Sequence, residues 1–170
     1  MDFDFSEDQI DLSNLAKTIF SDLSTSDRVA QIEKTDQRFD KNLWEALSDS
    51  GLLGITLPES YGGLGLGMVE LSLVLEQLGR RVAPVPLFAT SILGSWAIAK
   101  FGKSDQKEYW LRDVCAGNQI LTGAWTPQTN LKNLIAENDG NKWRITGLSL
   151  IHISEPTRRT PISYAVFCLK

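Results

Sequence analysis

The sequence predicts a mainly α fold, a helical bundle of about six helices up to Gly117 followed by a β-hairpin. Three observations carry this. Apolar residues recur at helical period in successive segments from Glu7 to Ala116, most of them opened by a capping residue. The stretch from Gly51 to Arg81 joins an apolar segment, a Pro58-Glu59 turn, a loop with four glycines between Gly62 and Gly67, and a helix apolar on most of its surface. After Gly117 the pattern changes to that of strands around Asn138-Asp139-Gly140-Asn141, a strong hairpin turn signal.

Ser6 and Gln9 have the spacing of a capping box, and Leu12, Leu15, Ala16, Ile19, Phe20 and Leu23 follow at helical period, so the first helix is expected over Glu7 to Leu23. Asp27 is read as the cap of a short, polar second helix through Val29 and Ile32. Asp40 precedes Leu43, Trp44 and Leu47, the third helix, which Gly51 ends. Pro58 and the glycine loop interrupt regular structure before a fourth helix over Met68 to Arg80. A helix apolar nearly all round has to be covered on several sides, which makes it the expected centre of the domain. Ala83-Pro84-Val85-Pro86 is extended because each proline biases the residue before it away from helix. A fifth helix carries Ile92, Leu93, Trp96, Ala97 and Phe101 on one side and stops at Gly102. Ser104 is read as the cap of an amphipathic sixth helix, Asp105 to Ala116. Beyond it, Gln119 to Trp125 is a short apolar run, and Asn133 to Glu137 pairs with Lys142 to Thr146.

With 170 residues, 42% hydrophobic and 22% charged, the chain can bury roughly 70% of its unfolded surface in one core. A net charge of −4 provides no basic face for a nucleic-acid backbone. The two cysteines, Cys115 and Cys168, have no metal-ligand or CxxC spacing, so neither a metal site nor a disulfide framework is suggested and a reducing, cytoplasmic setting is expected. The start, MDFDFSEDQ, lacks the order of a signal peptide, and no apolar run approaches the ~18 residues of a membrane span.

Three segments, LPESYGGLGLG, VLEQLGRRVAPVP and FGKSDQKEYWL, stand in the order and roughly the spacing of the acyl-CoA dehydrogenase family. Residues 1–147 resemble that family's N-terminal helical domain and the truncated start of its β-barrel-like middle domain. The domain boundary is expected near Gly117, giving segments 1–117 and 118–147. Residues 148–170 resemble translated sequencing-adapter read-through and are read as a non-native tail.

The glycine loop before a helix invites a phosphate-binding reading, but GxxxxGK[ST] is absent and the GxGxxG spacing fails, which leaves a tight structural turn. Glu59, Glu70 and Glu76 have no partner in the sequence that would make one a general base. His152 and Cys168 both lie in the tail and are set aside. Cys115 has no activating neighbour at a clear spacing and reads as a small buried hydrophobe. No catalytic residue is therefore assigned. In the family a Thr-Glu-Pro segment followed by a glycine-serine turn runs along the flavin ring, and the resemblance carries this onto Trp125 and Thr126, the latter as a hydrogen-bond partner of the isoalloxazine. Pro127-Gln128 replaces the expected Glu-Pro and the glycine-serine turn is missing, so an ordinary first strand with a surface turn stands beside the flavin reading.

The resemblance implies an FAD-dependent oxidoreductase of lipid and fatty-acid metabolism that dehydrogenates an acyl-CoA thioester. It also implies electron-transfer flavoprotein or a similar acceptor as partner, and a homo- or hetero-oligomer when full length. The family's base, a glutamate of the C-terminal domain, lies past the end of this sequence, so the fragment is expected to be inactive alone and to expose apolar helix faces. A non-catalytic subunit of a heteromeric dehydrogenase, a helical interaction module, and a related oxidase or flavin monooxygenase are the alternatives.

Overall fold

The computed structural model describes residues 4–123, 135–138 and 143–146, and over these the chain is mainly helical, as expected. The helices are α1 (Glu7–Leu23), α2 (Ser26–Glu33), α3 (Lys41–Asp49), α4 (Met68–Arg80), α5 and α6 (Ser104–Cys115). α5 is composite, π-wound over Ala89–Trp96 and α-helical over Ala97–Phe101. Two single 3₁₀ turns, Leu52–Gly54 and Glu59–Tyr61, lie between α3 and α4. No strand interrupts the described stretch from α1 to α6.

Local chemistry sets most of these ends. The Ser6 hydroxyl accepts from the Gln9 N–H at 3.3 Å and the Gln9 carboxamide accepts from the Ser6 N–H at 3.0 Å, a reciprocal cap that opens α1. Asp40 accepts from the Leu43 N–H and opens α3, and Gly51, with φ at 75°, follows its end. Two expected caps move by a residue or two. α2 opens on Thr25, whose hydroxyl accepts from the Arg28 N–H, while Asp27 sits inside the first turn. α6 opens on Lys103, because the Gln106 side chain takes the Lys103 N–H at 2.9 Å and draws Ser104 into the helix.

The larger core cluster gathers Phe20 of α1, Leu43 and Leu47 of α3, Leu52 and Ile55 of the following turn, and Leu71 and Val74 of α4. Their side chains are completely or almost completely withdrawn from water, each adding roughly 1.5–3 kcal/mol of burial. A smaller cluster joins Leu57, Ile98 of α5, Leu111 and Val114 of α6, and Leu121. α1 and α4 are the most extensively paired helices among the described residues, and Gln9 donates to Glu70 between them at 2.7 Å. α4 is nevertheless covered on one side only, since Val69, Ser72, Glu76 and Arg80 form an exposed strip. The centre of the domain is shared with α3 rather than held by α4 alone.

β1 (Ile135–Asn138) and β2 (Trp143–Thr146) pair antiparallel, with Ile135 opposite Thr146 and Asn138 opposite Trp143. The hairpin lies where the sequence put it, with Asn138 drawn from the turn into the ladder.

Candidate functional site

The glycine loop is held by its own backbone. Leu64 N–H donates to Gly54 O at 2.9 Å, Gly65 N–H to Leu57 O at 2.8 Å and Leu66 N–H to Ile55 O at 2.8 Å. A side chain at Gly63 would run into the Leu57 carbonyl, which is why glycine stands there. With these N–H groups already engaged, the loop has little left with which to cradle a phosphate, and it serves as the expected structural turn.

The carboxylates are engaged as well. Glu70 accepts from the Gly67 N–H at 2.9 Å, and the Gln9 hydrogen bond, followed by backbone N–H donors, holds its carboxyl below the ordinary range. Glu76 pairs with Arg80 at 2.7 Å on the exposed strip of α4, and Glu59 is exposed. None of the three is placed beside a partner that would make it a general base among the described residues. Cys115 lies half-buried against Gly54, and burial pushes its thiol upward, away from the reactive thiolate.

Sequence reasoning missed the firmest ionic contact. Asp40 is 1% exposed and receives Arg28 through Nε at 2.7 Å and Nη2 at 2.9 Å, while its own N–H donates to Pro84 O at 3.1 Å. It therefore ties α2, α3 and the connector into α5 together. Arg28 holds the Asp40 carboxyl below its usual range.

α5 departs most from ordinary packing. Its inner face is small and polar: Thr90, Ser91, Gly94 and Ser95 are buried together with Ile98. The Ser95 hydroxyl donates to Thr90 O at 2.8 Å and lies 3.2 Å from Ser91 O, which pins the wider turn. Gly94 lies so close to Leu121 that any Cβ would collide with it, so the segment leading toward Trp125 rests directly on α5. Thr90 Oγ1 and Ser91 Oγ are buried without a hydrogen-bond partner among the described residues. The outer side is apolar: Leu93 and Trp96 are half-buried, Phe88 and Phe101 exposed, and Lys100 Nζ sits 4.9 Å from the Trp96 ring centroid, while half-buried Ile92 also packs against the larger core cluster. Single π turns inside helices recur at functional sites. The sequence carries one trace of this turn, the Gly94-Ser95 pair inside a helical segment.

The overall match is to a known fold and sequence family. The profile of the acyl-CoA dehydrogenase N-terminal domain matches residues 6–118. The chain belongs to the acyl-CoA dehydrogenase family. FadE27, an acyl-CoA dehydrogenase of Mycobacterium tuberculosis, is 35% identical over 147 residues, which cover 86% of this chain and 39% of that protein. The ChsE4–ChsE5 complex from Mycobacterium tuberculosis superposes with a TM-score of 0.80 at 35% identity over 86% of this chain and 40% of that one. A variant of the Tcur3481–Tcur3483 steroid ACAD superposes with a TM-score of 0.76 at 39% identity, over 83% of this chain and 40% of that one. The chain thus spans about two fifths of the length of these three relatives.

The family implies FAD. Trp125 and Thr126, on which the flavin reading rests, lie outside the described residues, as do His152, Cys168 and the 148–170 segment. The glycine loop before α4, its N–H groups spent on internal carbonyls, has little left for the phosphates of such a cofactor. Among the described residues there is also no group of acidic, histidine or cysteine side chains placed to hold a metal. No helix among them is long and apolar enough to cross a membrane.

Proposed function

We propose that the chain is the N-terminal part of an FAD-dependent acyl-CoA dehydrogenase that introduces an α,β double bond into an acyl-CoA thioester. The observation that carries this is the family match over residues 6–118, together with the helical fold. FAD, when bound, supplies the acceptor for the β-hydride. The apolar side of α5, with α4, closes one wall of the acyl-chain tunnel and keeps water from it. Ile92, Leu93 and Trp96 are the candidate lining, because they remain half-exposed on a helix whose opposite face is fully packed. Trp125 and Thr126 are proposed to meet the edge of the flavin ring. The base that removes the α-proton is assigned outside residues 4–123, where Glu70 and Glu76 have structural engagements.

On this reading the 170 residues alone hold FAD weakly and turn over no acyl-CoA, since Trp125 and Thr126 offer too few contacts to offset the entropy lost on binding so large a ligand. Residues 1–117 form the helical domain, 118–147 the start of the middle domain and 148–170 a non-native tail.

A second reading is favoured by a specific observation, the similarity to a chain of the ChsE4–ChsE5 complex. Here the protein is one subunit of a heteromeric dehydrogenase, catalytic or not, and electron-transfer flavoprotein or a similar acceptor takes its electrons. A steroid-bearing thioester is then the first substrate class to assay, because the other structural neighbour is a steroid ACAD.

Reading the gene downstream of Gly147 tests both. A C-terminal glutamate with an arginine for the FAD diphosphate supports the enzyme, and their absence supports the partner subunit. Purified 170-residue protein that is yellow with near-stoichiometric flavin, or that reduces an acceptor with any acyl-CoA, would show that the site has been misplaced.

A further inference from the structure

We infer that Ser91 is one residue more than α5 needs to join its two anchors, and that this extra residue shapes the wall of the proposed tunnel rather than the fold. The helix assignment stands apart from the dehydrogenase reading, whereas the effect on the wall rests on it.

Hydroxyls in the regular helices of the chain give the reference. Thr18 of α1 donates to Asn14 O at 3.0 Å and Ser72 of α4 to Met68 O at 2.7 Å, each four residues back. In α5 the order shifts by one. The Ser95 hydroxyl makes its shorter bond, 2.8 Å, to Thr90 O five residues back, and stands 3.2 Å from Ser91 O. Thr90 therefore holds the place that the residue four back holds elsewhere, and Ser91 is the residue in excess. Both ends are regular: Thr90 N–H donates to Pro86 O at 2.9 Å and Gly102 N–H to Ile98 O at 2.8 Å, each across four residues. The excess is confined to the stretch between them.

The two ends are also anchored. Leu87, before the π-wound stretch, is fully buried in the larger core cluster, and Ile98, after it, is fully buried in the smaller one. The wide turn uses one more residue for the same rotation, so an α-helix one residue shorter would join the same anchors with the same facing. It would keep Gly94 against Leu121 and put Thr90 O four residues before the Ser95 hydroxyl. The fold therefore does not require Ser91, whose own hydroxyl is buried without a partner among the described residues. What Ser91 adds is girth, a wider turn immediately before Ile92 and Leu93, two of the candidate lining residues.

Deletion of Ser91 from the 170-residue chain tests the helix assignment, with deletion of Ser72 from regular α4 as the reference. Without Ser91 the chain should fold with a thermal midpoint within about 5 °C of the parent. Its NMR couplings across hydrogen bonds in α5 should move from carbonyls five residues back to carbonyls four residues back. Deletion of Ser72 turns one half of α4 against the other by about 100° and should cost about 15 °C or more, or prevent folding. Equal losses from the two deletions, or five-residue couplings that survive the loss of Ser91, overturn the proposal. In the full-length protein the Ser91 deletion should change the ratio of kcat/KM for a straight-chain against a ring-bearing acyl-CoA thioester about tenfold or more. An unchanged ratio, or an equal loss on both thioesters, overturns the role in the wall. A full-length parent that turns over neither thioester overturns the dehydrogenase reading and the wall role with it, and leaves the helix assignment standing.

Discussion

Helices α4 and α5 are both rich in apolar residues and use them in opposite ways. α4 turns Leu71, Leu73 and Val74 inward and leaves Ser72, Glu76 and Arg80 in water. α5 turns Thr90, Ser91, Gly94 and Ser95 inward and leaves Ile92, Leu93 and Trp96 partly open and Phe101 exposed. The first arrangement is that of a helix whose apolar face stabilises its own domain. The second keeps an apolar face for a surface beyond the described residues, and a small inner face lets Leu121 approach the helix backbone closely. The buried side chains of α4 therefore belong to stability and the outer side of α5 to the proposed tunnel wall, a division that substitution can test.

The largest expected effect is on α4. Leu71→Ala should lower unfolding free energy in urea by about 2–5 kcal/mol, because Leu71 is 1% exposed inside the larger core cluster. Leu93→Ala on the outer side of α5 should cost well under half as much. Equal losses would erase the distinction between the two helices.

Gly94→Ala comes next, at about 1–3 kcal/mol, since the new methyl group would have to displace Leu121. Gly79→Ala on α4 is the contrasting substitution, with nothing within 4 Å of the added atom. It should be neutral or mildly stabilising, through helix propensity.

The connector between the two helices is held at Pro84 by Asp40, whose signature is pH dependence. Its carboxyl titrates lower in the folded chain than in the unfolded one. Its contribution is therefore fully present above the unfolded value, about pH 4, and is lost as pH falls from there through the depressed folded value. Asp40→Ala should cost about 1–2 kcal/mol at neutral pH through loss of the α3 cap. Thermal melts of this variant should also show a shallower loss of stability below about pH 4 than the parent. A parallel decline in both would assign the acid sensitivity to other carboxylates.

The smallest effect separates the inner face of α5 from a conventional core. Thr90→Val replaces a buried hydroxyl that has no partner with a methyl group of similar shape, and stability should change by less than about 1 kcal/mol or rise. A large loss in thermal midpoint would mean that the hydroxyl makes a bond the packing depends on.

What could be read from the sequence was what adjacent turns decide among themselves. The Ser6–Gln9 and Asp40 caps rest on groups three residues apart and the engaged glycine turn on carbonyls eight to eleven residues back, and all appear in the structure. The same short range explains the misplaced ends. Thr25 and Asp27, like Lys103 and Ser104, are near neighbours competing for one helix start, and a single hydrogen bond from Arg28 N–H or from Lys103 N–H chose between them. The candidate site was less legible. Trp125 and Thr126 rest on resemblance, and apart from the Gly94-Ser95 pair the local pattern around Thr90 does not announce a π turn with a polar inner face.

By itself, then, the sequence determined the number and order of the helices, most of their ends, the hairpin and the family. The tertiary structure decided the pairing of Arg28 with Asp40, the bond from the Trp44 indole to Gly117 O at 2.9 Å, and the seating of Leu121 on Gly94. It also decided which face of α5 points inward. Helix caps depend on contacts within one turn, so the chain encodes them locally. The facing of α5 depends on Leu121, which meets Gly94 only once the bundle has closed.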